Sequence, residues 1–208
     1  MRRAALLDRA RQYFSDQGML SVDTPALMRY ATSDPNIESL GVRSRPGKDA
    51  WLQTSPEPYL KRLLASGYPD VFSICRVFRN GEAGPRHLPE FTMAEWYRLR
   101  FELNTIVDDT IDFIAACLNH ASLRDNAEHL DYNEAMQRFA DVDALEAGTE
   151  TLVQRATEDP RLQKELGGDR NAALDLIMST IVAPQFAPDR LTVIRHYPAG
   201  QAALARLC

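Results

Sequence analysis

Val71-Phe72-Ser73-Ile74-Cys75-Arg76-Val77-Phe78 and Phe91-Thr92-Met93-Ala94-Glu95-Trp96-Tyr97 are two β-like runs joined by Arg79-Asn80-Gly81-Glu82-Ala83-Gly84-Pro85-Arg86-His87-Leu88-Pro89. The joining stretch holds two glycines and two prolines and cannot continue a strand. The three pieces therefore predict an antiparallel hairpin with a long polar loop, and loops of that length are more often functional than not. Along the second run the period of two places Phe91, Met93, Glu95 and Tyr97 on one face and Thr92, Ala94 and Trp96 on the other. An unpaired carboxylate in a row of apolar groups is costly in a dry core. The same row suits a pocket floor that stacks a flat ring at one end and meets a cation at the other. A plainer alternative is an ion pair from Glu95 to Arg98 or Arg76 across the hairpin.

Upstream of the hairpin, Leu6, Leu7, Ala10, Tyr13 and Phe14 recur at helical spacing, and Gly18 supplies the left-handed stop. Met19 to Pro25 predicts a short strand ended by proline. Residues 29–49 are polar, with Pro35, Gly41, Pro46 and Gly47, and predict a loop with at most one short strand. Trp51-Leu52-Gln53-Thr54 predicts another strand. Ser55, Pro56 and Glu57 then carry the signature of a helix start: N-cap, first-turn proline and first-turn acid. That helix runs through Tyr59, Leu60, Leu63 and Leu64 to Gly67.

Downstream, Ile106, Val107, Ile111, Phe113, Ile114 and Leu118 restore the helical period. A helical lobe follows at about 104–183, broken by Gly148, Pro160 and Gly167-Gly168. Leu191 to Tyr197 returns as a strand before Pro198. Strands, then helices, then a strand, without internal repeats, predict an α+β fold, read as one domain over 1–208.

Composition narrows the function classes. The 208 residues are 45% hydrophobic and 25% charged, as in an ordinary globular chain. No apolar run approaches the ~18 residues of a membrane span. The charged start, Met1-Arg2-Arg3 with Asp8-Arg9 after only four residues, lacks a secretory pattern, so a cytoplasmic location is expected. A net charge of −5 argues against a free-standing nucleic-acid binder, whose affinity comes largely from neutralising phosphates. Three dispersed cysteines and four dispersed histidines favour neither a disulfide framework nor a structural metal site. Local basic groups remain on the hairpin loop. Arg79, Arg86 and His87 can hold phosphate oxygens, or form nothing more than a solvated basic surface.

Taken together, Cys75 to Asn80 and Arg86 to Tyr97 resemble motif 2 of class II aminoacyl-tRNA synthetases in its lysyl form. The first helix and strand, ending at Pro25, resemble motif 1, the dimer-forming element. Thr54 to Glu57, followed by Leu60-Lys61-Arg62-Leu63-Leu64, is similar to the amino-acid-binding turn ahead of motif 2. His196-Tyr197-Pro198 with Ala202 to Ala205 resembles the entry to the last part of that domain. The likeness is collinear over essentially the whole chain. Motif 1 opens the sequence with no anticodon-binding domain before it, and Glu95-Trp96-Tyr97-Arg98 is closer to the stand-alone paralogues. Those are ligases that attach β-lysine, or less well lysine, to a lysine of elongation factor P.

The resemblance implies a class II synthetase-like antiparallel sheet flanked by helices, working on ATP with Mg2+. Arg79 would hold the α-phosphate and stabilise charge as pyrophosphate leaves. Arg86 and His87 would steer the outer phosphates, with Asn80, Gly81 and Leu88 completing the nucleotide-binding stretch, and Phe91 would stack on adenine. Ser55, Pro56 and Glu57 would line the amino-acid site, and Glu95 and Tyr97 would meet ammonium groups. No protein ligand for a metal is implied. Elongation factor P, lysine or β-lysine, and a second copy of the chain are the implied partners; tRNA and membranes are not. Other readings are a non-catalytic paralogue and a fragment of a lysyl-tRNA synthetase. Two positions depart from the family pattern. Gly81 stands where a glutamate is usual, with Glu82 following, and Leu88 stands where an asparagine is common. The family's later acidic strand and motif 3 have no counterpart before Cys208, so a C-terminally incomplete domain with weak or no turnover is expected.

Overall fold

A computed structural model describes residues 2–34, 36–45, 48–82, 84, 87–202 and 205–206. The chain divides into two compact units, 1–119 and 120–208. Helices and sheets are mixed in an α+β arrangement, as the alternation of sequence periods predicts.

In the first unit, α1 (Arg2–Asp16) buries Ala10 and Phe14. Gly18 takes φ +70° and lets the Met19 N–H reach back to the Phe14 carbonyl at 3.0 Å. Strand β1 (Leu20–Ser21) follows, then β2 (Leu27–Met28), β3 (Gly41–Arg45) and β4 (Lys48–Leu52). The strand expected over Met19 to Pro25 is cut to two residues, although Val22 still donates to the Phe72 carbonyl at 2.8 Å. The stretch 29–49 is less irregular than its composition predicts. It holds β3 and the start of β4, which form an antiparallel sheet in the order β2-β4-β3. Main-chain pairing holds this sheet more than an apolar face does, since Ala50 is its one fully buried hydrophobe among the described residues. Periodicity therefore gave no signal there. The strand expected at Trp51 to Thr54 ends at Leu52, and Gln53 leaves it as a buried tie. The Gln53 side chain donates to the Arg76 carbonyl at 2.8 Å, and its own main-chain carbonyl accepts from Phe78 N–H at 2.9 Å.

Helix α2 (Glu57–Ala65) begins after Pro56 and buries Leu60. Ser55 does not occupy the N-cap itself, but its hydroxyl accepts the Glu57 N–H at 3.0 Å. The hairpin is as predicted. Strands β5 (Val71–Phe78) and β6 (Glu90–Tyr97) pair antiparallel, with Val71 opposite Tyr97, Ser73 opposite Glu95 and Val77 opposite Phe91. On the outer edge β1 runs parallel to β5. One face of the hairpin packs against α1 and against α3 (Leu103–Leu118). There Phe14 stacks on Phe72 at 4.6 Å and on Phe113 at 4.8 Å, with Trp96 alongside. The other face carries Phe91, Met93, Glu95 and Tyr97, as the period of two requires.

In the second unit, α4 (Ser122–Asp125), β7 (Glu128–Asp131), α5 (Tyr132–Ala140), α6 (Thr149–Ala156), α7 (Pro160–Leu166) and α8 (Arg170–Ile177) precede a π-helical turn and β8 (Thr192–Arg195). Tyr132, Met136, Leu152, Leu174 and Ile177 form its core. The predicted breakers fall between helices: Gly148 before α6, Pro160 at the start of α7, and Gly167-Gly168 with φ of +60° and +85°. Asp159 and Asp169 cap α7 and α8 by accepting main-chain N–H groups. The short polar strand β7 was not expected. It pairs parallel with β8, which is shorter than the predicted Leu191 to Tyr197. His196 sits at φ +54° with Nδ1 2.9 Å from Asp131, and the Tyr197 ring lies 4.8 Å from that of Tyr132. Burial pushes the Tyr132 phenol up to about 12, with the nearby Asp175 charge adding to it. Among the described residues no helix is long and apolar enough to cross a membrane.

Candidate active site

Two chain reversals and one strand face build the site, all within the first unit. The Gln53 tie brings Thr54 and Ser55 to the end of β5, and α2 continues from them against β5 and β6. The Ser55 hydroxyl donates to one oxygen of Glu95 at 2.6 Å, and the Tyr97 hydroxyl donates to the other at 2.9 Å. Glu95 is only partly exposed. The basic groups that could have neutralised it are engaged elsewhere. Arg98 turns to the opposite side of the sheet and binds Asp109, while Arg76 pairs with Glu90 at 3.3 Å. No ion pair forms at Glu95 among the described residues, so the hairpin salt bridge is not how this carboxylate is satisfied. Burial raises the Tyr97 phenol far above its ordinary value, and the Glu95 charge and hydrogen bond push it further. Tyr97 thus stays protonated and keeps donating.

Beside Ser55 a cleft of about 470 Å³ is lined by Met28, Thr32, Thr54, Tyr59 and Arg62, within the range of small-molecule sites. Pro56 is buried at the entry to α2, and Glu57 is turned along the helix to Lys61.

Arg79 closes the other end. Its guanidinium lies 5.3 Å above the Phe91 ring, its Nε is 3.5 Å from the Thr54 carbonyl, and its Nη1 is 3.5 Å from Glu82. Asn80 hydrogen-bonds Glu38 through both side chain and main chain. Gly81 turns at φ +73°, and exposed His87 pairs with Gly84 by two main-chain bonds. Leu88 is exposed. Arg86 lies outside the described residues. The structure therefore gathers Ser55, Pro56, Glu95 and Tyr97 at one end and Arg79 with Phe91 at the other. Glu57 is held in a helix ion pair, and His87 and Leu88 sit on the exposed part of the loop.

Three supporting residues carry no motif-level signal: Gln53, Glu38 and Asp109. Asp109 is buried in α3 and accepts Arg98 Nε at 2.9 Å, Arg98 Nη2 at 2.8 Å, Trp96 Nε1 at 3.0 Å and the Tyr13 hydroxyl at 2.6 Å. Burial alone would raise this carboxyl. The bonds from Arg98 and Tyr13 overcome that and hold it below the usual carboxylate range. Trp96 and Arg98 alternate with Glu95 and Tyr97, so Asp109 anchors one face of β6 while Glu95 and Tyr97 lie on the other, where Glu95 meets Ser55. An acid at helical spacing from Ile106 and Phe113, on an otherwise apolar face, is the signal that marks Asp109.

The hairpin thus carries a carboxylate held by two hydroxyls and, at its other end, a guanidinium over an aromatic ring, with a helix start beside them. A family model for class II tRNA synthetases (D, K and N) matches residues 1–205, and the chain belongs to that family. Its curated relatives include elongation factor P--(R)-β-lysine ligases. Those from Actinobacillus succinogenes and Mannheimia succiniciproducens are 38% and 39% identical to it, over 99% of this chain and 64% of the relative in each case. That from Haemophilus influenzae (strain ATCC 51907) is 36% identical over 100% of this chain and 64% of its own length. The chain thus spans about 64% of the length of these relatives.

Proposed function

We propose that the protein activates lysine or β-lysine with ATP, as an aminoacyl-adenylate, and passes the aminoacyl group to a lysine of elongation factor P. The observation that carries this reading is Glu95, a partly buried carboxylate whose two oxygens are fixed by neutral hydroxyls and by no basic side chain among the described residues. Such a group is set to receive an ammonium, and lysine-type amino acids carry two. The relatives' names point to the same substrates.

In this reading the amino-acid carboxylate attacks the α-phosphorus of ATP, and pyrophosphate leaves. Arg79 holds the α-phosphate oxygens where charge accumulates, and Phe91 offers a face for adenine. Arg86 and His87 take the outer phosphates, and Asn80, Gly81 and Leu88 line the nucleotide. Ser55, Pro56 and Glu57 bound the amino acid. The chain supplies no nucleophile; it orients and neutralises. Mg2+ would accompany the triphosphate of ATP and offset its charge. The chain works as a homodimer through residues 6–26, a segment where Leu20 stands exposed, as does Leu27 just beyond it.

The test is intact-mass analysis of elongation factor P after prolonged incubation with an excess of the protein, ATP, Mg2+ and β-lysine. One added β-lysyl group per molecule, dependent on ATP, is expected. An unmodified factor in the presence of lysine-charged tRNA would contradict the choice of acceptor. No adenylate with either amino acid would contradict the reaction.

A further inference from the structure

We propose that Glu82 is the positioning residue for Arg79, and that Gly81 is the glycine that makes this possible. The inference rests on the reading of Arg79 as the phosphate-holding residue. Asn80 is pinned to Glu38 on the β2–β3 connection, by its N–H to the Glu38 carbonyl at 2.9 Å and by its side-chain amide to Glu38 Oε1 at 2.7 Å. With Asn80 fixed, the chain must turn at once to bring the loop back, and Gly81 does so at φ +73°. A Cβ at position 81 would lie 4.0 Å from Glu38 Oε2. A glutamate there would meet both left-handed strain and a neighbouring carboxylate. The position where the family pattern has its acid therefore disfavours one in this chain.

The turn instead returns the next residue to the arginine, with Glu82 Oε1 3.5 Å from Arg79 Nη1. Arg79 is then held on three sides, by Glu82, the Thr54 carbonyl and the Phe91 face. Among the described residues nothing else takes its remaining N–H groups, which leaves them for an oxyanion. Glu82 also repels a phosphate, but both side chains keep some contact with water, which screens that repulsion. Screening does not restore the rotamer order lost when Glu82 goes, and an arginine has many rotamers to lose. Orientation therefore outweighs repulsion.

The experiment compares ATP affinity by calorimetry for the wild type, E82Q, R79K and the double variant, and for G81E. E82Q is expected to weaken binding by about three- to tenfold. In the double variant the two losses should fail to add, because Glu82 acts through Arg79. G81E is expected not to strengthen binding. ATP affinity in E82Q equal to or tighter than wild type overturns the proposal, and so do additive losses. The Arg79 Nε–Hε resonance is recorded on wild type and E82Q without nucleotide. It should shift in E82Q, and an unchanged signal overturns the contact. A wild type that binds no ATP overturns the functional reading instead, and the resonance alone then decides the role of Glu82.

Discussion

Replacing Asp109 with asparagine removes one negative charge and one acceptor oxygen from a buried cluster of four donors. Side-chain exposure is 6% for Asp109 and 4% for Arg98, so solvent can replace little of what is lost. The asparagine amide can turn one oxygen toward Tyr13 or Trp96. Its NH2 group must then face Arg98, donor against donor. Breaking one side of a buried ion pair costs roughly 3–5 kcal/mol. Asp70 stands 3.6 Å from Arg98 Nη1 and is partly solvated, which keeps part of the cation's compensation and sets the expected loss near the lower end, about 3 kcal/mol. The chain's two tryptophans, Trp51 and Trp96, both lie in the first unit, so tryptophan fluorescence in urea follows that unit alone. With a urea slope of roughly 1–3 kcal/mol per molar, the midpoint should fall by about 1–3 M. Acid dependence supplies a second readout. The folded-state Asp109 carboxyl is lowered, so its stabilisation is complete above its ordinary value of about 3.9 and is lost as pH falls toward the lowered folded value. D109N should therefore flatten the acid limb of the stability curve. A loss under about 1 kcal/mol, the range of an exposed pair, or an unchanged acid limb would refute the buried latch.

Two further outcomes follow from the site and from α1. Arg79→Lys should weaken ATP binding by about tenfold or more, because an ammonium cannot reproduce a guanidinium fork on phosphate; equal calorimetric titrations would remove Arg79 from the nucleotide site. The protein should sediment as a dimer, and a charge placed by Leu20→Asp, where the side chain is exposed in the single chain, should shift it to monomer; a concentration-independent monomer in the wild type would end the homodimer reading.

The hairpin was legible because β5 and β6 are rich in β-branched and aromatic residues and flank a loop with two glycines and two prolines, and their register puts Trp96 against Phe14 and Glu95 away from it, as a period of two demands. Gly18, Pro160 and Gly167 marked real boundaries because backbone geometry at these residues is local chemistry. Of the β2-β4-β3 sheet only the end of β4 was legible, and β7 was not, because β2 is two residues long and β3 and β7 are mostly polar, so main-chain pairing holds them without a periodic trace. At the site, Ser55, Arg79, Glu95 and Tyr97 were legible as residue types. What was not legible is how they are held. Ser55 reaches Glu95 across 40 positions and Asn80 reaches Glu38 across 42, distances over which one sequence carries no pairing signal. The ion-pair alternative for Glu95 could be set aside only once Arg98 was seen bound to Asp109.

The claim at the centre of this account is that Glu95 reads an ammonium group. Calorimetric titration of wild type and E95Q with β-lysine, lysine and norleucine, which keeps lysine's carbon chain without its second ammonium, tests it most directly. The account predicts binding of β-lysine and lysine to the wild type, at least tenfold weaker binding of norleucine, and loss of that discrimination in E95Q with ATP affinity unchanged. Norleucine bound as tightly as lysine, or an E95Q variant that still tells them apart, would contradict it.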